Sequence, residues 1–129
     1  MIYLLDVSTL IARLWKTHVF HERVRAWTAG QQLALCPITE VGFVRISTQP
    51  VFGASVMDAR KMLDSFYNVF KPRFVPCDLA LLDSPPPPAG TQTTDFYLAA
   101  VAQRHGMRWA TLEEKPKASG AFVIPLNRT

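Results

Sequence analysis

Cysteine occurs only twice in the 129 residues, as Cys36 and Cys77. Two thiols cannot make a disulfide framework. Both sit in apolar, strand-like stretches, Leu33-Ala34-Leu35-Cys36 and Phe74-Val75-Pro76-Cys77, so they are expected as reduced core thiols of a cytoplasmic protein. They also stand apart from His18 and His21, which leaves no zinc-ligand spacing. Those histidines are assigned to the join between the first two helices. No run approaches the ~20 apolar residues that cross a bilayer, and Met1-Ile2-Tyr3-Leu4-Leu5-Asp6 has no basic n-region. Membrane and secreted classes are therefore not expected. Neither GxGxxG nor GxxxxGK followed by Ser or Thr occurs, so dinucleotide and P-loop roles lack their phosphate cradle. Internal repeats and long linkers are also missing.

What is present describes one globular domain spanning residues 1–129. Hydrophobic residues make up 49% and charged residues 19%, a balance that supports a packed core at this length. Four of the ten prolines form the single run Pro85 to Pro88 and mark one non-helical loop. Fourteen Lys and Arg against ten Asp and Glu give +4, and the pI is near 9.4. A small basic domain suits an anionic partner, either nucleic acid or an acidic protein.

Hydrophobic patterning predicts strands alternating with helices. Ile2 to Leu5 is wholly apolar, as in a parallel strand buried on both faces. Asp6 ends it, and Ser8 or Thr9 can cap a helix bearing Leu10, Ile11, Leu14 and Trp15. A second helix is predicted over Val19 to Trp27, and a strand over Leu33 to Cys36. Thr39 then caps a helix beginning at Glu40. Ser55 opens an amphipathic helix with Val56, Ala59, Leu63, Phe66, Tyr67 and Phe70 on its apolar stripe. Phe74 to Cys77 reads as a short strand and Leu79 to Leu82 as a turn of helix. Thr93 or Thr94 caps a helix from Asp95 to about Gln103. Met107 to Leu112 and Ala121 to Leu126 complete the strands, joined by a polar loop over Glu113 to Ser119. The fold class is α/β, with layers around a mostly parallel sheet.

Four acids occupy corresponding places in this pattern. Asp6 and Glu113 close strands, while Glu40 and Asp95 open helices that follow strands or loops. In an open parallel sheet, strand C-termini and the next helix N-termini share the edge where ligands bind. Two carboxylates ~4 Å apart repel by about 4 kcal/mol at an effective dielectric near 20. Helix N-termini offset only ~0.3–1 kcal/mol for each first-turn acid. Protons or a divalent cation must supply the rest, and an all-oxygen, water-rich site suits Mg²⁺ or Mn²⁺. Setting those four acids aside leaves fourteen bases against six acids, +8 on the surround. A negative pocket on a basic body fits a metal-dependent nuclease, with Arg45, Lys115 and Lys117 as candidate phosphate contacts. Each residue also has a plainer reading. Asp6 is a good N-cap, Glu40 and Asp95 are ordinary first-turn acids, Glu114 could replace Glu113, and any single base is a solvated surface charge.

These residues resemble the PIN-domain ribonucleases, specifically the VapC-type toxins of toxin–antitoxin pairs. Tyr3-Leu4-Leu5-Asp6-Val7-Ser8-Thr9-Leu10-Ile11-Ala12 is similar to that family's first strand and helix. Cys36-Pro37-Ile38-Thr39-Glu40-Val41-Gly42-Phe43-Val44-Arg45 resembles the segment of its second acid. Thr94-Asp95-Phe96-Tyr97-Leu98-Ala99-Ala100-Val101-Ala102 resembles the third, and Gly106 through Trp109-Ala110-Thr111-Leu112-Glu113 the fourth. The resemblance implies a three-layer α/β/α sandwich and a Mg²⁺- or Mn²⁺-dependent endoribonuclease. Asp6, Glu40, Asp95 and Glu113 carry over as catalytic, metal-binding acids, and Ser8 or Thr111 as an accessory hydroxyl. It further implies in-line attack by metal-activated water, leaving a 5′-phosphate and a 3′-hydroxyl, together with a homodimer and a cognate VapB-like antitoxin in the cleft. Two departures stand out: the fourth acid is commonly Asp where this chain has Glu113, and the segment before Asp95 carries four prolines where helical sequence is usual.

Other readings compete. A receiver-type phosphoacceptor needs an early acidic cluster and a late lysine, and aspartate-based phosphatases need a second Asp where this chain has Ser8. A PIN fold that binds RNA or a partner without cutting, and an RNA-processing PIN nuclease without antitoxin, stay open. Trp15 and Trp27 are assigned to the core rather than to base stacking. The Phe66-Tyr67-Phe70 cluster is either core or dimer interface.

Overall fold

Alternate residues of each central strand enter opposite cores, and that alternation builds the layers. The computed structural model describes residues 1–112 and 121–125. Its strands are β1 (Ile2–Leu5), β2 (Gln32–Leu35), β3 (Arg73–Phe74), β4 (Arg108–Thr111) and β5 (Phe122–Val123). They form one sheet in the order β3-β2-β1-β4-β5, with every pairing parallel. Leu4, Ala34 and Trp109 face one side, where they pack with Tyr97, Leu98 and Val101. Leu5, Leu33, Leu35 and Ala110 face the other, against Leu10, Ile11, Phe43 and Phe66. Because successive side chains point to opposite faces, both faces of these strands are covered, which explains their near-continuous apolar sequence.

The helices divide accordingly. α1 (Val7–Leu14), α3 (Pro37–Ser47) and α4 (Val56–Phe70) cover one face, α2 (His21–Thr28) packs beside α1, and α5 (Thr93–Arg104) covers the other face. The α/β three-layer sandwich expected from the sequence is the architecture found. Arg23 of α2, itself buried, donates to the carbonyls of Ile124 and Pro125 and so ties the exit of β5 to the helical layer.

Several element ends differ from the sequence expectation, each for a local reason. α1 is capped by Asp6, whose carboxylate accepts from the Thr9 N–H at 2.8 Å; Ser8 and Thr9 lie inside the helix. α2 starts at His21 rather than Val19, and His21 Nδ1 lies 2.8 Å from the Ala12 carbonyl at the join with α1. α3 starts at Pro37, not Glu40. Proline suits the first helical position because its missing N–H has no partner there and its φ is preset. Thr39 is consequently no cap; it is fully buried and its hydroxyl donates to the Leu5 carbonyl at 2.9 Å. β3 stops at Phe74, with one further bond from the Val75 N–H to Leu35 O, because Pro76 offers no N–H to extend the ladder. Leu81–Asp83 forms a 3-10 turn, and Pro85 to Pro88 are non-helical. α5 begins at Thr93 after Gln92, so neither threonine caps it. β5 is confined to Phe122–Val123, and Leu126 lies outside the described residues.

Packing resolves the aromatic assignments. Trp15 and Trp27 flank the α1–α3–α4 core as expected. Trp109 is 1% exposed on the α5 side and offers no face to a base. Phe66 and Phe70 stack on each other at 5.3 Å and under the Arg13 guanidinium; Phe66 is buried in the core and Phe70 lies half-buried at its margin. Val56 departs from its expected place, being 56% exposed at the start of α4.

α4 ends at Lys71 with φ 55° and ψ 54°, the one left-handed non-glycine among the described residues. That conformation costs an L-residue roughly 1–2 kcal/mol, and glycine avoids the clash at some expense in unfolded-chain entropy. Lys71→Gly is therefore expected to stabilise the fold by about 1 kcal/mol. A urea titration checks this: the midpoint should rise with the slope unchanged, and a midpoint that stays or falls contradicts it.

Candidate functional site

The chain order places a switch point beside β1. β1 to β2 to β3 progress toward one edge with α1 to α4 on one face; the chain then crosses through α5, on the opposite face, to β4 on the other side of β1. The strand order thus reverses beside β1, and open parallel sheets bind ligands outside the strand C-termini at such a point. Asp6 sits there: its N–H lies 3.4 Å from Ala110 O of β4, and its side chain is 6% exposed. Thr111, buried, ends β4 on the same edge.

The other acids arrive from two further elements. Glu40, half-buried, lies in the first turn of α3, and Asp95, half-buried, lies in the first turn of α5. A cleft of about 500 Å³ runs between Val7, Ile38, Cys77 and Thr94, the chain neighbours of Asp6 and Asp95 among them. Ser8 is exposed in the first turn of α1. Glu113, Lys115 and Lys117 lie outside the described residues.

Two contacts hold the α3 segment, one to β1 and one to the start of α1. One is the Thr39 hydroxyl on Leu5 O. The other is Gly42, whose missing side chain lets Val7 approach; a Cβ there would stand 2.4 Å from Val7 Cγ2. Cys36 Sγ lies 3.5 Å from Thr39 Oγ1 in the same corner. Cys77 is half-buried against it, and burial pushes its thiol up. The expected burial thus holds in full for Cys36 and in part for Cys77.

Glu40 faces the second depression, a groove of about 810 Å³ between α3 and α4. Its Oε2 accepts from the Tyr67 hydroxyl at 2.8 Å. Burial first, and the bond to Glu40 second, push the Tyr67 hydroxyl far above the ordinary tyrosine range. Arg45, Arg60 and Lys61 line the same groove with the exposed apolar side chains Val41, Val56 and Met57. Patterning put Tyr67 on the apolar stripe of α4, and Arg60 and Lys61 fall outside that stripe in the sequence. Only the crossing of α3 with α4 joins them to Glu40.

The donor set decides which metal this edge could hold. Asp6, Glu40 and Asp95 offer hard oxygens. Among the described residues, no three of the His, Cys, Asp and Glu side chains gather closely enough to cage an ion. Among the described residues there is accordingly no dehydrated, all-protein cage of the kind zinc or calcium takes. Mg²⁺ keeps several waters and commonly takes one or two carboxylates plus substrate phosphates, and this open carboxylate edge fits such an ion.

Comparison with known proteins follows the same lines. No family model matches the chain. Ribonuclease VapC38 of Mycobacterium tuberculosis is 38% identical over 133 residues, covering 97% of this chain and 91% of that protein. Ribonuclease VapC44 of the same species is 38% identical over 121 residues, covering 86% and 85%. Among solved structures, a chain of FitAB bound to an IR36 DNA fragment superposes with a TM-score of 0.67 at 22% identity, covering 99% of both chains. A chain of VapBC2 from Rickettsia felis, bound to a DNA fragment from its promoter, gives 0.60 at 13% identity over 95% and 97%. At these identities the two structures establish a shared fold.

Proposed function

The chain belongs to the VapC ribonuclease family of PIN-fold proteins, and from that premise we propose that it is a divalent-metal-dependent endoribonuclease held inactive by a cognate antitoxin. The observation that carries this reading is that Asp6, Glu40 and Asp95, the acids of the matched motifs, belong to three separate elements starting from one sheet edge. Asp6, Glu40 and Asp95, with Glu113, are the residues that would hold Mg²⁺ or Mn²⁺. A cation so held supplies an acidified water and neutralises charge developing on the phosphodiester.

The chain's own groups divide the remaining work. Asp6 is fixed in orientation by its bond to the Thr9 N–H and takes no part in proton transfer in this scheme. Thr111 or Ser8 offers a hydroxyl beside the scissile phosphate. Arg45, on the rim shared by the cleft and the groove, contacts RNA phosphate, as do Lys115 and Lys117 after Glu113. The α3–α4 groove, apolar along Val41, Val56 and Met57 and basic at Arg45, Arg60 and Lys61, suits an antitoxin segment that is apolar on one side and acidic on the other. That chains of this fold occur in the VapBC2 and FitAB complexes supports a protein partner.

Cleavage of a structured RNA by the chain freed of any copurifying partner tests the proposal. Cutting is expected with Mg²⁺ or Mn²⁺ and none with EDTA. Loss of a group one bond beyond a metal ligand already costs about 10–100-fold, so Asp95→Asn, folded by circular dichroism, should lose more than about 100-fold. RNA binding without metal-dependent cutting would replace the nuclease by a binding module.

A further inference from the structure

We propose that Tyr67, on α4, is a positioning residue that fixes the Glu40 carboxylate for metal binding. The inference rests on the metal-dependent reading above and adds a residue that the motif resemblance does not contain. Glu40 hangs from the first turn of α3 on three rotatable bonds and is half-buried. Such a side chain must be ordered before it can act as a ligand, and ordering costs rotamer freedom. Tyr67 supplies that order from the neighbouring helix. Its ring packs against the α1–α3–α4 core, it turns about only two side-chain bonds, and its hydroxyl donates to Glu40 Oε2 at 2.8 Å.

The bond holds one oxygen of Glu40, and the other would be the one left to meet a cation. A hydrogen bond from a group outside the ligand set is the usual way a protein orients a ligating carboxylate. α3 is fixed to β1 through Thr39 and to the first residue of α1 through Gly42, so Tyr67 completes a chain of contacts from the sheet edge to the carboxylate. Because Tyr67 also lines the α3–α4 groove, whatever occupies that groove touches the residue that orients Glu40.

Mn²⁺ binding, followed by the electron paramagnetic resonance of the free ion, tests this with Tyr67→Phe, Glu40→Gln and the double variant. Tyr67→Phe removes one oxygen and keeps the ring, and thermal melting confirms the fold. The expected result is about a 10-fold or greater loss of Mn²⁺ affinity in Tyr67→Phe. Glu40→Gln should lose at least as much, and the double variant no more than Glu40→Gln alone, because the two residues act as one unit. A loss in Glu40→Gln with wild-type affinity, or a gain, in Tyr67→Phe overturns the positioning role and leaves the metal reading standing. Additive losses also overturn it, since Tyr67 would then act through another group. Unchanged affinity in Glu40→Gln defeats the metal reading at this residue and the proposal with it.

Discussion

Asp6→Asn is expected to leave the unfolding free energy within about 0.5 kcal/mol of the parent while reducing RNA cleavage by more than about 100-fold. The two effects separate because the observed cap and the proposed metal ligand place different chemical demands on Asp6. As the N-cap of α1 it needs an oxygen to accept from the Thr9 N–H, 2.8 Å away, and asparagine serves that role about as well as aspartate. As the proposed metal ligand it would need a negative oxygen, which asparagine lacks. Asp6→Ala removes both and should lose activity together with about 1 kcal/mol of stability. Urea unfolding and a cleavage assay on both proteins decide the matter. If Asp6→Asn cuts RNA at the parental rate, Asp6 is a cap and nothing more, and the nuclease assignment loses its most buried acid.

The cap at Asp6 shows how far the sequence could be read. Asp6 stood out as a candidate because it follows an apolar strand, and Glu40 and Asp95 because each opens a helical pattern in the sequence. Punctuation of this kind is local, so it survives without knowledge of the fold. The sheet itself was legible for the same reason, since Leu4 and Leu5 must bury opposite faces and leave no polar alternation. The start of α3 was misplaced by three residues because Thr39 looks like a cap, whereas Pro37 takes the first helical position and frees Thr39 to reach Leu5 O. Tyr67 illustrates what could not be read. It lies 27 residues from Glu40, and its spacing within α4 fits the apolar stripe as well as Phe66 does. Nothing short of the α3–α4 crossing distinguishes a ring that only packs from one whose hydroxyl reaches a carboxylate. Val56 fails in the opposite sense: its place in the stripe was right by period, but α4 leaves that end beside an open groove.

Gly42→Ala is the second substitution with a large expected effect, and its sign depends on Val7. In a helix interior, alanine in place of glycine is favoured by about 0.8–1.0 kcal/mol. Here the added Cβ would lie 2.4 Å from Val7 Cγ2 and 3.0 Å from Val7 Cγ1. A β-branched side chain cannot swing aside cheaply, so α3 must move away from α1, and overpacking of this kind costs roughly 1–3 kcal/mol. The clash outweighs the propensity gain, and Gly42→Ala should destabilise by about 1 kcal/mol or more in the native background. Cleavage should fall further than the loss of folded protein explains, because α3 carries Glu40 and Val7 adjoins Asp6. Removing the two methyl groups with Val7→Ala leaves only the Val7 Cβ at 3.3 Å. In that background the same Gly42→Ala change should become neutral or stabilising by up to about 1 kcal/mol. Chemical denaturation of the four proteins in this cycle measures the coupling. Equal effects of Gly42→Ala with and without the valine methyls would show that the close approach of α3 to Val7 does not set the position of Glu40.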